Sequence, residues 1–497
     1  MPEPVLLLTV EGGPSGPGVA APRVGSPTKV FRPWNPEQAA LLPASKRDSL
    51  GETHLAVFLR DLLEHLDLRS ILDAYTEDRG QPPYDPRMMT VLLLYAYSQG
   101  LTSSRQIERR CGEDLAFMYL TADARPDHDT ICTFRRQHLA AFEALFLETL
   151  RLAQVAGVLK LGRIALDGTK IRANASKHKA MSYQRMPERE AALQAEVQRL
   201  LAEAEALDRA EDERYGRGRR GDELPADLQD AATRRQRLRE AKARLEAERK
   251  RELAAAKQAQ VEKIEAAKGA LEAQAREQAV AAGEDPATAQ PDPKAQRNFT
   301  DPESRIMNTP DGFQQCYNAQ VAVDARSQLI VAADVVDAPN DKQQLQPLVE
   351  QGITNVGVPR GVLADSGYFS EANVRALEGR EDTPIDAHIA VERARHGAPP
   401  TGPPRGRIPA GLSVPERMRR KLRTKRGQAI YARRKCTVEP VIGQIKGRGF
   451  RRFSLRGQGR VQGEFRLVCA VHNLLKLWRA GVGALTRAGA QRRLAYA

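Results

Sequence analysis

The chain has 497 residues, is 41% hydrophobic and 28% charged, and carries a net charge of +14. With a mean hydropathy of −0.50 it is long enough for two or three domains with a sizeable core, while its longest apolar run, MMTVLLLYAYSQGL from Met88, is too short to span a bilayer. These features exclude an integral membrane protein and predict a soluble, intracellular one. The five cysteines (Cys111, Cys132, Cys316, Cys436, Cys469) are scattered without CxxC spacing, so neither a zinc ribbon nor a disulfide framework is suggested and they read as core thiols.

Residues 1–50 are rich in Gly, Pro and Ala and predict a disordered arm. Residues 51–157 read as a helical, DNA-binding domain. There, HLAVFLRDLLEHLDL repeats apolar residues at three and four residue spacing, and Pro86 stands at the start of a buried helix. Thr102, Ser103 or Ser104 can cap the next helix, and Asp127 or Asp129 a short one carrying Arg135 and Arg136. Two short capped helices with arginines on the second resemble a helix-turn-helix, with plain bundle packing as the alternative. In LGRIALDGTKIRAN, Ile164, Leu166 and Ile171 flank Asp167 and Gly168, giving a strand with an acid in its middle. Strands disfavour aspartate, so this one requires an edge, a turn or a ligand.

Residues 184–298 turn to Ala, Glu, Arg, Lys and Leu, and then to a linker. A stripe of Leu193, Val197, Leu200, Leu201, Ala204 and Leu207, the break YGRGRRG at 215–221, and a second stripe of Leu238, Ala241 and Leu245 predict an inserted helical hairpin projecting as a coiled coil. Two alternating strands follow around the turn from Asp324 to Gln328, then a helix through Leu345, Leu348 and Val349. GVLADSGYFSEANVRALE gives an apolar strand ending on Asp365 and a helix capped by Ser370, and PIDAHIAV gives a last short strand. The fold class is therefore α/β, a mixed sheet flanked by helices. From Thr401 onward the chain has 24 Lys or Arg against three acids (Glu416, Glu439, Glu464), a net of +21 that leaves −7 for the rest. Such asymmetry predicts a face made for a polyanion, and the interleaved Ile430, Val438, Ile442, Phe450 and Phe453 argue against a mere solvated tail.

Asp167 inside a strand, Asp365 at a strand end and Glu439 on a helix form the minimal carboxylate set for two hard cations. Each also has a plain reading, as a turn residue, an Asx cap and an ion-pair partner of Lys446, and Asp324, Asp337 and Asp341 compete for the second place.

The stretches ALDGTKIRANAS, DGFQQCYNAQVAVD, VLADSGYFSEAN and YARRKCTVEPVIGQIKGRGFRRFSLRG resemble, in this order, the DDE transposases of bacterial insertion sequences, and QPPYDPRMMTVLLLYAYSQGLTSSRQIERR with RPDHDTICTFRRQH resembles their N-terminal helical domain. The resemblance implies an RNase H-like catalytic core at 158–183 and 299–480 with a basic tail at 481–497, and places the triad on Asp167, Asp365 and Glu439. It implies two divalent metal ions, Mg²⁺ or Mn²⁺, held by those three acids. It also implies binding of double-stranded DNA, as terminal inverted repeats and target, with strand cleavage and transfer by a homodimer or higher oligomer in a bacterial cytoplasm, at the nucleoid. An inactive DNA-binding relic and an RNase H-like nuclease without strand transfer are the alternatives. Many relatives carry a Tyr, Arg, Glu, Lys signature on the last helix. Lys446 fits it, but the Arg place is Lys435 and the Tyr place is Ala432, with Tyr431 and Arg434 each one residue off. Expected DNA contacts are Lys170, Arg172, Arg135, Arg136, Arg434, Lys435, Lys446, Arg448, Arg451 and Arg452.

Overall fold

A computed structural model describes residues 45–75, 83–215, 231–392 and 411–481, with positions 404, 406 and 409. The expected arm up to residue 44, the hairpin break after Tyr215, the side chains of Leu238 and Ala241, and the tail beyond Gly481 lie outside the described residues. Helix α1 (Lys46–Leu50) falls inside the stretch assigned to the arm. Arg47 holds it, pairing with Glu52 at 2.9 Å and with Asp61 at 2.9 Å.

Helices α2 (Leu55–Leu63), α3 (Arg69–Leu72), α4 (Pro86–Ser98), α5 (Ser104–Glu113), α6 (Leu115–Thr121), α7 (His128–Gln137) and α8 (Leu139–Val155) precede the first strand. Local chemistry sets several starts. Asp85 accepts from the Arg87 N–H ahead of α4, whose first residue, Pro86, has no N–H to satisfy. Asp127 accepts from the Thr130 N–H at 2.6 Å and caps α7. At α5 the N-cap residue is Ser103, which makes no capping side-chain hydrogen bond. Since α6 stands between α5 and α7, the two helices are not joined by a single short turn.

The remaining elements are β1 (Arg163–Arg172), β2 (Ala180–Ser182), α9 (Met186–Tyr215), α10 (Ala231–Ala282), β3 (Gln296–Asn298), β4 (Arg305–Thr309), β5 (Gly312–Asp324), β6 (Ile330–Val336), α11 (Leu345–Val356), β7 (Gly361–Ala364), α12 (Glu371–Glu378), β8 (Asp386–Ile389), α13 (Val414–Arg423), α14 (Lys425–Gly447) and α15 (Gln458–Arg479). The main sheet is mixed, in the order β4-β5-β1-β7-β8, with β6 also pairing β5. Strands β5 and β6 form the expected antiparallel hairpin, β5 is antiparallel to β1, and β7 and β8 run parallel to β1. Helix α14 packs on β1 and β5, α11 and α15 on β6, and α12 and α13 on β8. One hydrophobic core runs from Leu55 in α2 through the sheet to Leu477 in α15.

Helices α9 and α10 pack antiparallel, joined by Glu190–Lys268, Glu196–Lys257 and Glu203–Lys250 pairs in that opposed order. Leu193, Val261 and Ile264 are buried between them, and the short β2-β3 pair closes their base.

Candidate functional site

The parallel register of β1 and β7 pairs Ala165 with Leu363. Asp167 stands two residues further along β1 and Asp365 just past the end of β7, so neighbouring strands, ~4.8 Å apart, deliver the two aspartates at one level. Asp167 Oδ1 accepts from the Gly168 N–H at 2.9 Å. Asp365 Oδ1 accepts from the Gly367 N–H at 2.9 Å and caps the single turn Ser366–Tyr368, so its plain role as an Asx cap is realised as well.

Glu439 comes from α14, capped by Thr424, whose hydroxyl accepts from the Gly427 N–H. Arg434, on the same helix, bridges the acids: one guanidinium nitrogen lies 3.2 Å from Asp167 Oδ2 and the other 3.1 Å from Glu439 Oε1. Burial pushes the Asp167 carboxyl up to about 6, against the pull of Arg434, and the charges of Asp365 and Glu439 raise it further. The three acids thus share one electrostatic environment. Among the described residues, no three acids, histidines or cysteines stand close enough to hold a metal ion as the side chains are placed. A guanidinium, not a gap, lies between Asp167 and Glu439.

Arg434 was expected at DNA and stands off the signature register, yet its side chain is only 10% exposed and both its ends are taken by carboxylates. Lys435, in the signature place, faces solvent. Tyr431 also lies by the site, where burial raises its phenol and the charges of Arg434, Asp365 and Asp167 reach it. A long side chain one residue out of register can still reach two acids. Spacing along the sequence does not reveal that.

Residues 45–137 match a family described as a transposase domain (DUF772), and residues 410–478 match the transposase DDE domain family. Two separate segments of the chain thus match transposase families, the second of them a DDE domain family. The second match contains Glu439 and Arg434; Asp167 and Asp365 lie outside both. No curated protein and no solved structure matches the chain.

Several of the expected cationic side chains lie at the end of β1 and at or after the end of α14. Past β1, Arg172 and Arg452 form a parallel bridge, with the Phe453 N–H donating to the Arg172 carbonyl at 2.8 Å, so the loop after α14 lies along the end of β1. Arg172, Arg451 and Arg452 are exposed, and Arg172 pairs with Asp311. Lys446 is half-buried; burial and Arg451 lower its ammonium while Asp167 and Cys316 pull it up. Lys170 donates to the Pro339 carbonyl at 2.7 Å, and burial lowers it too, against Asp341. Arg448 is lowered by burial and by Arg479. In the helical half, Arg136 faces solvent but Arg135 does not. Arg135 is buried, donating to Tyr97 Oη at 3.1 Å and to the Thr102 carbonyl at 2.7 Å, because its side of α7 is covered by α4 and the start of α5. Its expected role at DNA gives way to an internal one.

Asp341, noted above only as a competitor for the second acid, is also at the centre. Its Oδ1 accepts from Asn318 Nδ2 at 2.7 Å and Gln320 Nε2 at 2.6 Å, while Gln320 Oε1 accepts from the buried Tyr368 hydroxyl. The available signal was the pair of amides, Asn318 and Gln320, among the small and apolar residues of the second half of β5.

Proposed function

We propose that this transposase binds the terminal inverted repeats of its own insertion sequence and cuts and joins DNA strands with two divalent metal ions, Mg²⁺ or Mn²⁺, held by Asp167, Asp365 and Glu439. The observation that carries the reading is that Asp365 and Glu439 act on the buried Asp167, which also acts on Lys446 of the basic helix α14. The strand arrangement supports an RNase H-like core: an antiparallel run β6-β5-β1 continued by parallel β7 and β8, with the acids at β1, after β7 and on a following helix. The helix pair α9–α10 fits a coiled-coil insertion, and the solvent-facing residues of the helical half are the place to look for repeat recognition.

The donor set fits a hard cation. It offers carboxylate oxygens alone, one of them buried and crowded by like charge that a single arginine offsets. When bound, such ions supply the Lewis acidity that activates an attacking oxygen and stabilises the leaving one. Arg434 holds Asp167 and Glu439 in place by charge and would supply a cation beside a phosphoryl group brought to them. Lys446 and the exposed Arg451, Arg452 and Arg172 neutralise phosphates and fix the strand over the acids, which makes binding steeply salt dependent. Lys170, Arg448, Lys435 and Arg136 are further contacts along the same duplex.

DNA carrying the sequences that flank the transposase's own reading frame, together with a plasmid target, tests the reading. Metal-dependent cut and joined products are expected. Glu439→Gln should abolish both while retaining DNA affinity, because it removes one carboxylate charge and no phosphate contact. Retained cleavage in that variant would remove the assignment of Glu439, and binding without cleavage in the parent chain would leave a DNA-binding protein only.

A further inference from the structure

Asp341 lies in the chain between β6 and α11, and its side chain is packed against Gly168 and Gly367, the glycines that follow Asp167 and Asp365. A Cβ on Gly168 would collide with Gln320 Nε2 and stand 2.8 Å from Asp341 Oδ1 and 3.0 Å from Asn318 Oδ1. A Cβ on Gly367 would stand 3.1 Å from Asp365 Oδ1 and 3.3 Å from Asp341 Oδ2. Glycine therefore leaves open a small cradle with a carboxylate oxygen on either side.

The two oxygens of Asp341 are treated differently. Oδ1 receives two amide donors, from Asn318 and Gln320. Two donors on one oxygen fix its orientation and require an acceptor there. Oδ2 is turned toward Gly367 and Asp365. Lys170, the cation whose charge interacts with Asp341, gives its ammonium to the Pro339 carbonyl. Asn318 is fully buried, and its own Oδ1 has no hydrogen-bond partner although it faces Gly168. A buried orphan acceptor and an oriented carboxylate at one cradle are costly features in a metal-free protein.

We propose that Asp341 is a fourth carboxylate of the cation site, its Oδ2 accepting hydrogen bonds from the water shell of a divalent ion held at Asp365. This rests on the metal-dependent reading given above. Asp341 is a positioning residue: Asn318 and Gln320 orient it, and through Gln320 and Tyr368 it also braces the turn that carries Asp365. Carboxylates of this outer kind commonly govern metal affinity by 10- to 100-fold.

Asp341→Asn separates this role from mere packing. The amide oxygen can take the place of Oδ1 and keep both donors, while its NH₂ group replaces Oδ2, removing the charge and reversing the hydrogen-bonding sense toward the ion. Mn²⁺ binding to the full chain without DNA, followed by calorimetry and by electron paramagnetic resonance, is compared for wild type, Asp341→Asn and Asp365→Asn, with melting temperatures in chelator. We expect Mn²⁺ affinity to fall about tenfold or more in Asp341→Asn, with the metal-free melting temperature unchanged. Affinity unchanged in Asp341→Asn but lost in Asp365→Asn overturns the proposal and leaves the cation site standing. A lowered metal-free melting temperature with Mn²⁺ affinity retained also overturns it, since Asp341 would then only pack. Affinity unchanged in both variants removes the cation site itself, and the proposal with it.

Discussion

His472 and Gly168 show how single residues are constrained by what surrounds them. His472 lies in the core on α15, its Nε2 donating to the Gln328 carbonyl at 3.0 Å, and burial pushes its imidazole down to about 3. The folded chain keeps it neutral where the unfolded chain, with an ordinary value near 6.5, binds a proton. Its contribution to stability is therefore complete above about pH 6.5 and is lost as pH falls toward about 3. His472→Gln, which can still donate to Gln328, should flatten that acid-side loss when melting temperature is followed from pH 7 to 4. Gly168 is fixed by crowding, not by its backbone angles. Gly168→Ala forces its Cβ into Gln320 and Asp341, so a loss of roughly 1–3 kcal/mol in chemical denaturation is expected, together with loss of strand cleavage. Wild-type stability in that variant would mean that the amide cluster yields easily.

At the level of elements, α14 carries a proline directly after its acid. Pro440 has no N–H, so the Cys436 carbonyl one turn earlier loses its helical partner. Gln328 replaces it: its Nε2 donates to Cys436 O at 3.0 Å, from the β5–β6 turn where its backbone is left-handed, φ 58°. The same residue accepts from His472 on its carbonyl and from Lys476 on its side chain, tying the hairpin to α14 and α15. Glu439 sits within this repaired turn. Gln328→Ala should cost about 1 kcal/mol of stability and reduce cleavage more than DNA binding, as read by a cleavage assay alongside a mobility shift. Equal losses in the two would place Gln328 in DNA contact.

Across the described residues, the helical half and the sheet share one core, and a buried polar chain links them. Arg135 of α7 donates to Tyr97 Oη of α4, and Tyr97 donates to Glu464 of α15 at 3.2 Å. Glu464 is fully buried, its carboxyl raised by that burial against the pull of Arg135, and it also accepts from the Ser454 and Leu455 N–H groups in the basic loop. This chain runs from the helical half to the loop bearing Arg451 and Arg452. Tyr97→Phe leaves Arg135 and Glu464 without their shared hydroxyl and should cost roughly 1–3 kcal/mol, seen as one cooperative transition at lower temperature. Two separate transitions would show that the halves unfold independently.

Composition and periodicity were enough to place α2, α4, α5 and α7, the β5–β6 hairpin, the strand through Asp167 and the strand ending before Asp365, because caps, apolar spacing and turn residues act within a few residues of one another. The charge asymmetry also lies in the sequence, since it needs only counting. What a side chain faces was not legible. Arg135 and Arg136 are adjacent and chemically alike, yet α4 covers one and solvent the other. Arg434 reaches Asp167 from 267 residues away in the chain, and Asp341 reaches Gly168 across β5. Those meetings depend on strand register and on which helix faces cover the sheet, and such long-range packing is decided only when the whole chain closes on its core.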